Sequence, residues 1–141
     1  MSARILVLTT LLILSAAVSA KWVRSAEINL PDRAGDYDRN EAPIKGSIRP
    51  PLMAGSLWRV VAAELHCRRA PDVKAAIVRQ FQRNDILQAE VYRGGSDEVL
   101  VNARDANGKP WMPVRGQNSS QLCYVRANHR YIQPVTQATA Q

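Results

Sequence analysis

The stretch LHCRRAP, from Leu65 to Pro71, sets one of only two cysteines in an alternating apolar and polar run that ends in a proline turn. Successive side chains of a β-strand point to opposite faces, so Leu65 and Cys67 share one face while Glu64, His66 and Arg68 share the other. The second cysteine, Cys123, lies in LCYVRA (122–127), where it shares a face with Val125. Two short strands, each with an inward cysteine, allow three chemistries: a covalent staple, a metal site or a thiol nucleophile.

The amino end bears on the choice. MSARILVLTTLLILSAAVSA (1–20) offers Arg4, an uncharged apolar run from Ile5 to Leu14, and small residues up to Val18-Ser19-Ala20. That is the shape of a secretory signal peptide, with cleavage expected after Ala20. The alternative is an uncleaved anchor, since Ile5 to Ala20 is uncharged throughout, but the strongly apolar part is shorter than the roughly 20 residues needed to cross a bilayer, so cleavage and no membrane span in the mature chain are expected. Export to the periplasm or the medium brings the cysteines into an oxidising compartment, where paired thiols close. A disulfide between Cys67 and Cys123 is therefore expected. The loop it closes, from 67 to 123, corresponds to about 4 kcal/mol in the chain-entropy account.

The metal reading would combine His66, Cys67, Cys123 and His129, an acceptable donor set for zinc. Adjacent strand residues point to opposite faces, however, so His66 and Cys67 do not converge readily on one ion. A nucleophile needs a base and an orienting group, and Cys123 with His129 is the one pair to consider. The sequence shows no oxyanion-type glycine signature, serine-triad motif, phosphate loop or paired carboxylates. Neither an enzyme nor a metal or other cofactor is expected. Asp72, Asp85 and Asp97 lie beside turns, where carboxylates cap or solvate.

Along the rest of the chain, 21–56 carries four prolines and charges of both signs with no sustained period, and is expected to be a flexible linker. From 57 to 135 short strand-like runs alternate with turn residues, and 136–141 is expected to be a disordered tail. DVKAAIVRQF (72–81) is ambiguous between a helical turn and a strand. QRND (82–85) is a turn in which Asn84 takes a left-handed conformation. ILQAEVY (86–92) and EVLVNAR (98–104) are strand candidates, and Asn107-Gly108 suits a tight hairpin. Pro113 argues that WMPVR (111–115) is an edge strand or carries a bulge. Five or six short strands in so few residues predict a small all-β barrel.

The 141-residue chain has a formal net charge of +7, with the excess falling in 57–135. A basic domain favours an anionic partner. No five-residue block is purely basic, and the aromatic residues are not interleaved with basic runs, so nucleic acid is not expected.

The order VVAAELHCRRAPD, FQRNDIL, GKPWMPV and CYVRANHRYIQPV resembles a bacterial SH3-like domain, over about Trp58 to Val135. The family's first strand commonly reads Leu-Asn-Val-Arg before a Gly-Pro turn; here Leu65, His66, Cys67 and Arg68 precede Ala70-Pro71. Arg83-Asn84-Asp85 matches its Lys-Gly-Asp-like turn, and Tyr124-Val125 and Tyr131-Ile132 match its closing strands. Cysteine at 67 and 123, alanine at 70 and asparagine at 84 depart from the pattern. The acidic, tyrosine-rich loop that grips proline-rich peptides in the eukaryotic relatives has no counterpart here. The resemblance implies an SH3-like barrel acting as a free-standing, secreted binding module for peptidoglycan or another envelope polymer. A protein-interaction module, or a small secreted inhibitor or structural factor, is the alternative. Such a site needs aromatic surfaces and a few polar groups. Tyr92, Trp111, Tyr124 and Tyr131, with Arg68 and Arg126, are the candidate ligand-binding residues, and core packing of the rings is the competing role.

Overall fold

The computed structural model describes residues 29–48, 54–90, 101–116 and 119–136, and among them there is no helix. Nine strands among the described residues form one antiparallel sheet: β1 (Lys45–Gly46), β2 (Gly55–Val60), β3 (Glu64–Arg68), β4 (Ile77–Gln82), β5 (Ile86–Ala89), β6 (Ala103–Arg104), β7 (Pro110–Gly116), β8 (Ser119–Arg126) and β9 (Ile132–Pro134). The sheet order is β1-β2-β5-β7-β8-β3-β4, with β6 added to β7 and β9 to β2. The all-β expectation holds. The closed barrel of five or six strands does not, because no pairing among the described residues joins the β1 and β4 ends of the sheet.

The alternation read at 64–68 follows from burial: Leu65 and Cys67 are buried, while Glu64 and His66 are exposed. Both cysteines are fully buried and bonded to each other, which links neighbouring strands β3 and β8. The bond leaves no free thiol, so neither a thiolate metal ligand nor a cysteine nucleophile is present. Around the disulfide, inward residues of β2, β3, β4, β5, β7, β8 and β9 form one cluster that includes Trp58, Phe81, Leu87, Met112, Val125 and Ile132. A single core is thus shared along the open sheet from β2 to β4.

DVKAAIVRQF resolves into a loop followed by strand β4, whose Phe81 enters the core. Asn84 has a φ of 73°, the left-handed conformation expected of it. Of the two expectations for the strand of Pro113, the edge fails, because β7 is interior with β8 on one edge and both β5 and β6 on the other, and the bulge has its counterpart in a register shift of β7 against β8 between Val114 and Gly116. The Pro113 carbonyl accepts the Glu90 N–H at 2.9 Å, so the proline nitrogen also faces the β5 side. There it falls between the β6 pairs at Pro110 and Trp111 and the β5 pairs at Val114 and Arg115. The missing donor thus falls opposite Glu90, one residue past the last paired residue of β5, where the ladder to β5 ends.

The flexible linker expected over 21–56 is corrected for 29–48. Tyr37 and Ala42 belong to the core, and Tyr37 meets Trp58 edge to face at a ring separation of 4.9 Å. The Trp58 Nε1–H donates to the Asn40 carbonyl at 3.0 Å, and Ser56 Oγ accepts the Ala42 N–H at 3.0 Å. A sequence without period still packs because it contributes single anchors rather than a face. The correction extends to 54–56, where Gly55 and Ser56 open β2, whereas 21–28, 49–53, the signal segment and all of the tail but Thr136 lie outside the described residues. No described helix is long and apolar enough to cross a membrane.

Candidate functional site

Two five-residue loops of the same geometry flank one end of the sheet. In the 32–36 loop, the Gly35 N–H donates to the Asp32 carbonyl at 2.9 Å and the Asp32 N–H to the Asp36 carbonyl at 2.9 Å. Asp32 Oδ1 accepts from the N–H groups of Ala34 and Asp36, at 2.8 and 2.9 Å. The 105–109 loop, which joins β6 to β7, repeats all four bonds with Asp105, Asn107, Gly108 and Lys109. Each loop needs a left-handed residue at its fourth position, and Gly35 and Gly108 supply it with φ of 84° and 73°. An aspartate opens each loop because its short side chain satisfies two turn N–H groups at once.

The 32–36 loop is tied to the end of β8. The Tyr37 N–H donates to the Ala127 carbonyl at 2.8 Å, and the His129 N–H to the Gly35 carbonyl at 2.7 Å. Asp36 Oδ1 accepts from Arg126 at 2.9 Å and from Asn128 Nδ2 at 2.8 Å. Burial pushes the Asp36 carboxyl up, but those two hydrogen bonds and the charges of Arg126 and Lys109 outweigh it and hold the group below the usual carboxylate range. In the other loop, Asp105 Oδ2 accepts the Trp111 Nε1–H at 2.9 Å. That bond and the N–H groups of Lys109 and Asn107 likewise lower the Asp105 carboxyl.

Between these loops and β3 lie two adjoining clefts that share Arg126 and Tyr131. The first, of about 190 Å³, is lined by Glu64, Leu65, His66, Arg68, Val73, Trp111, Arg126 and Tyr131. The second, of about 370 Å³, has Ala34, Asp36, Lys109, Asn128 and Arg130 in addition to the shared pair. The first offers ring edges and aliphatic surface beside two guanidinium groups. The second is walled mainly by polar and charged groups.

Four of the six residues singled out from sequence, Arg68, Trp111, Arg126 and Tyr131, come together in the first cleft. Each also has an internal role or constraint. Arg68 donates to the Ala75 carbonyl at 2.9 Å, which pins the loop between β3 and β4. Trp111 is 3% exposed, so it presents little more than an edge. Arg126 is held by Asp36 and the Pro110 carbonyl, with its guanidinium 5.9 Å from the Trp111 ring centroid. Tyr131, 37% exposed, is the most accessible of the aromatic candidates that the structure describes. Tyr124 lies opposite Arg68 on the outward face of β8 and lines neither cleft. Tyr92 lies outside the described residues.

Sequence reading missed Lys109, Arg130, Asp36 and Asn128. The pattern Asp-X-X-Gly, present at both 32–35 and 105–108, was a signal for the paired loops that carry Asp36 and Lys109. No group of three or more His, Cys, Asp or Glu side chains among the described residues is placed to hold a metal ion. No family model matches the chain, and no significantly similar curated protein or solved structure is found.

Proposed function

We propose that this chain is an exported, non-enzymatic binding module of the bacterial SH3-like type, which holds peptidoglycan or another envelope polymer in the cleft of Arg68, Trp111, Arg126 and Tyr131. The observation that carries the reading is convergence: residues from β3, β7, β8 and the turn before β9, chosen for their chemistry alone, line one cleft. Ring edges beside guanidinium groups suit a ligand with both an apolar face and polar substituents. The disulfide fits an oxidising compartment. The alternative, a module or small inhibitor that docks on a protein, draws support from Val73, 62% exposed at the rim of the same cleft.

Retention of the folded protein on purified peptidoglycan in moderate salt is the test, with Tyr131→Ala alongside. Binding that falls at least fivefold in the variant supports the assignment. Absence of salt-resistant retention of the parent protein sinks the wall-binding reading, and retention unchanged by Tyr131→Ala moves the site elsewhere.

A further inference from the structure

The second cleft contains charge that the first does not explain. Its one carboxylate, Asp36, is already engaged by Arg126 and Asn128, and Arg126 in turn is engaged by Asp36 and the Pro110 carbonyl. Lys109 and Arg130 are exposed on the wall of the same cleft, and neither side chain has an ion pair or hydrogen bond among the described residues. Beyond the Asp36–Arg126 pair, Lys109 and Arg130 leave two positive charges on a cleft of about 370 Å³ that has no second carboxylate among its described lining residues.

The arrangement is positioned by the backbone. Lys109 is the fifth residue of the 105–109 loop, where its N–H is fixed on Asp105 Oδ1 at 3.0 Å. Arg130 lies within the turn before β9, where its own N–H donates to Asn128 Oδ1 at 3.0 Å. Asn128 is buried, and its Nδ2 is held by Asp36 and the Ala34 carbonyl. The ammonium of Lys109 is close enough to the cleft floor for its charge to act on Asp36. Two cations on independently anchored segments thus flank a shared, half-open space.

We propose that the cleft between the 32–36 and 105–109 loops is a subsite for an oxyanion, a carboxylate or a phosphate. Lys109 and Arg130 contact the group directly, and Arg126, its charge balanced by Asp36, completes the lining between the two clefts. Because the two clefts meet at Arg126 and Tyr131, a polymer lying across Tyr131 presents an acidic substituent here. The polymer part of this assignment rests on the function proposed above; the oxyanion site does not. Charge-assisted contacts of this kind are strong and geometrically selective, and their affinity falls with ionic strength.

The test uses the mature protein and its Lys109→Gln/Arg130→Gln variant, both positions being exposed and unpaired. Amide resonances are followed during separate titrations with inorganic phosphate and acetate at constant ionic strength. Saturable shifts confined to Lys109, Asn128, Arg130 and Tyr131, weakened at least fivefold in the variant, support the site, and the stronger probe identifies the anion class. Shifts that do not saturate, or that persist unchanged in the variant, overturn it. In parallel, retention is measured on native peptidoglycan and on peptidoglycan whose carboxyl groups have been amidated. A carboxylate subsite predicts that amidation weakens the parent protein and leaves the variant unaffected. Saturable anion shifts without retention on either material would remove the polymer reading and leave the oxyanion site standing. Retention equal in parent and variant, without anion shifts, would do the reverse.

Discussion

At the residue scale, the position with least tolerance is Gly35. A β-carbon built there falls 2.0 Å from His129 Nδ1, and the φ of 84° is itself unfavourable for any L side chain. Gly35→Ala is expected to destabilise the protein by about 1–3 kcal/mol, read as a lower urea midpoint with an unchanged m-value. Asp36 sets a pH dependence beside it. Its folded pKa lies below its ordinary value of 3.8, so the stabilisation is present above that value and is lost as pH falls through the lower, folded value. Asp36→Asn is expected to lower stability at pH 7 by on the order of 2 kcal/mol, through loss of a charge-assisted pair with Arg126. It also flattens the acid limb of stability below about pH 4, which chemical unfolding at stepped pH would measure.

At the element scale, the arm of residues 29–48 behaves as part of the core. Tyr37 is buried against Trp58, so Tyr37→Ala leaves a cavity beside the largest fully buried side chain. The expected loss is about 3 kcal/mol. A red shift of tryptophan emission under native conditions would report water reaching Trp58; unchanged emission and stability would mean that the arm adds nothing to the fold.

The same element shows why part of the molecule was legible in sequence and part was not. At 64–68 a period of two coincided with burial on one face, so Leu65 and Cys67 could be assigned inward from pattern, and Cys123 followed as the only other cysteine in the sequence. Asn84 was legible because few residues other than glycine accept a left-handed backbone. The arm escaped because Tyr37, Asn40 and Ala42 reach the core through isolated long-range bonds, which leave no period in the chain. For Pro113 the sequence allowed an edge or a bulge and could not choose between them, because whether a missing N–H matters depends on which neighbour ends where, and that is a property of the sheet. Of the site, the aromatic and arginine residues of the first cleft could be named. Lys109 and Arg130 could not, because their significance comes from an aspartate 73 positions away from Lys109 that neutralises a different cation.

At the scale of the whole molecule, stability depends on one covalent closure over an open sheet. Cys67 and Cys123 are separated by 56 positions, and breaking their bond is expected to remove about 4 kcal/mol. Thermal melts with and without reductant would read this as a large fall in midpoint. A Cys67→Ser/Cys123→Ser variant that melts like the parent would show that the core alone suffices.

The closure also divides the protein mechanically. The arm, β2 and β9 lie outside the ring from 67 to 123, whereas β4, β5, β6 and β7 lie wholly within it. When the two ends of the chain are pulled apart, only the outer segments lengthen, and roughly 190 Å of extended chain stays hidden, at about 3.4 Å per residue. Trp111 and the 105–109 loop are inside that ring, whereas Asp36, Arg126 and Tyr131 are outside it. Tension on the ends therefore parts the two walls of the clefts while the enclosed chain bears no load, and reductant restores the missing length in a single-molecule extension trace.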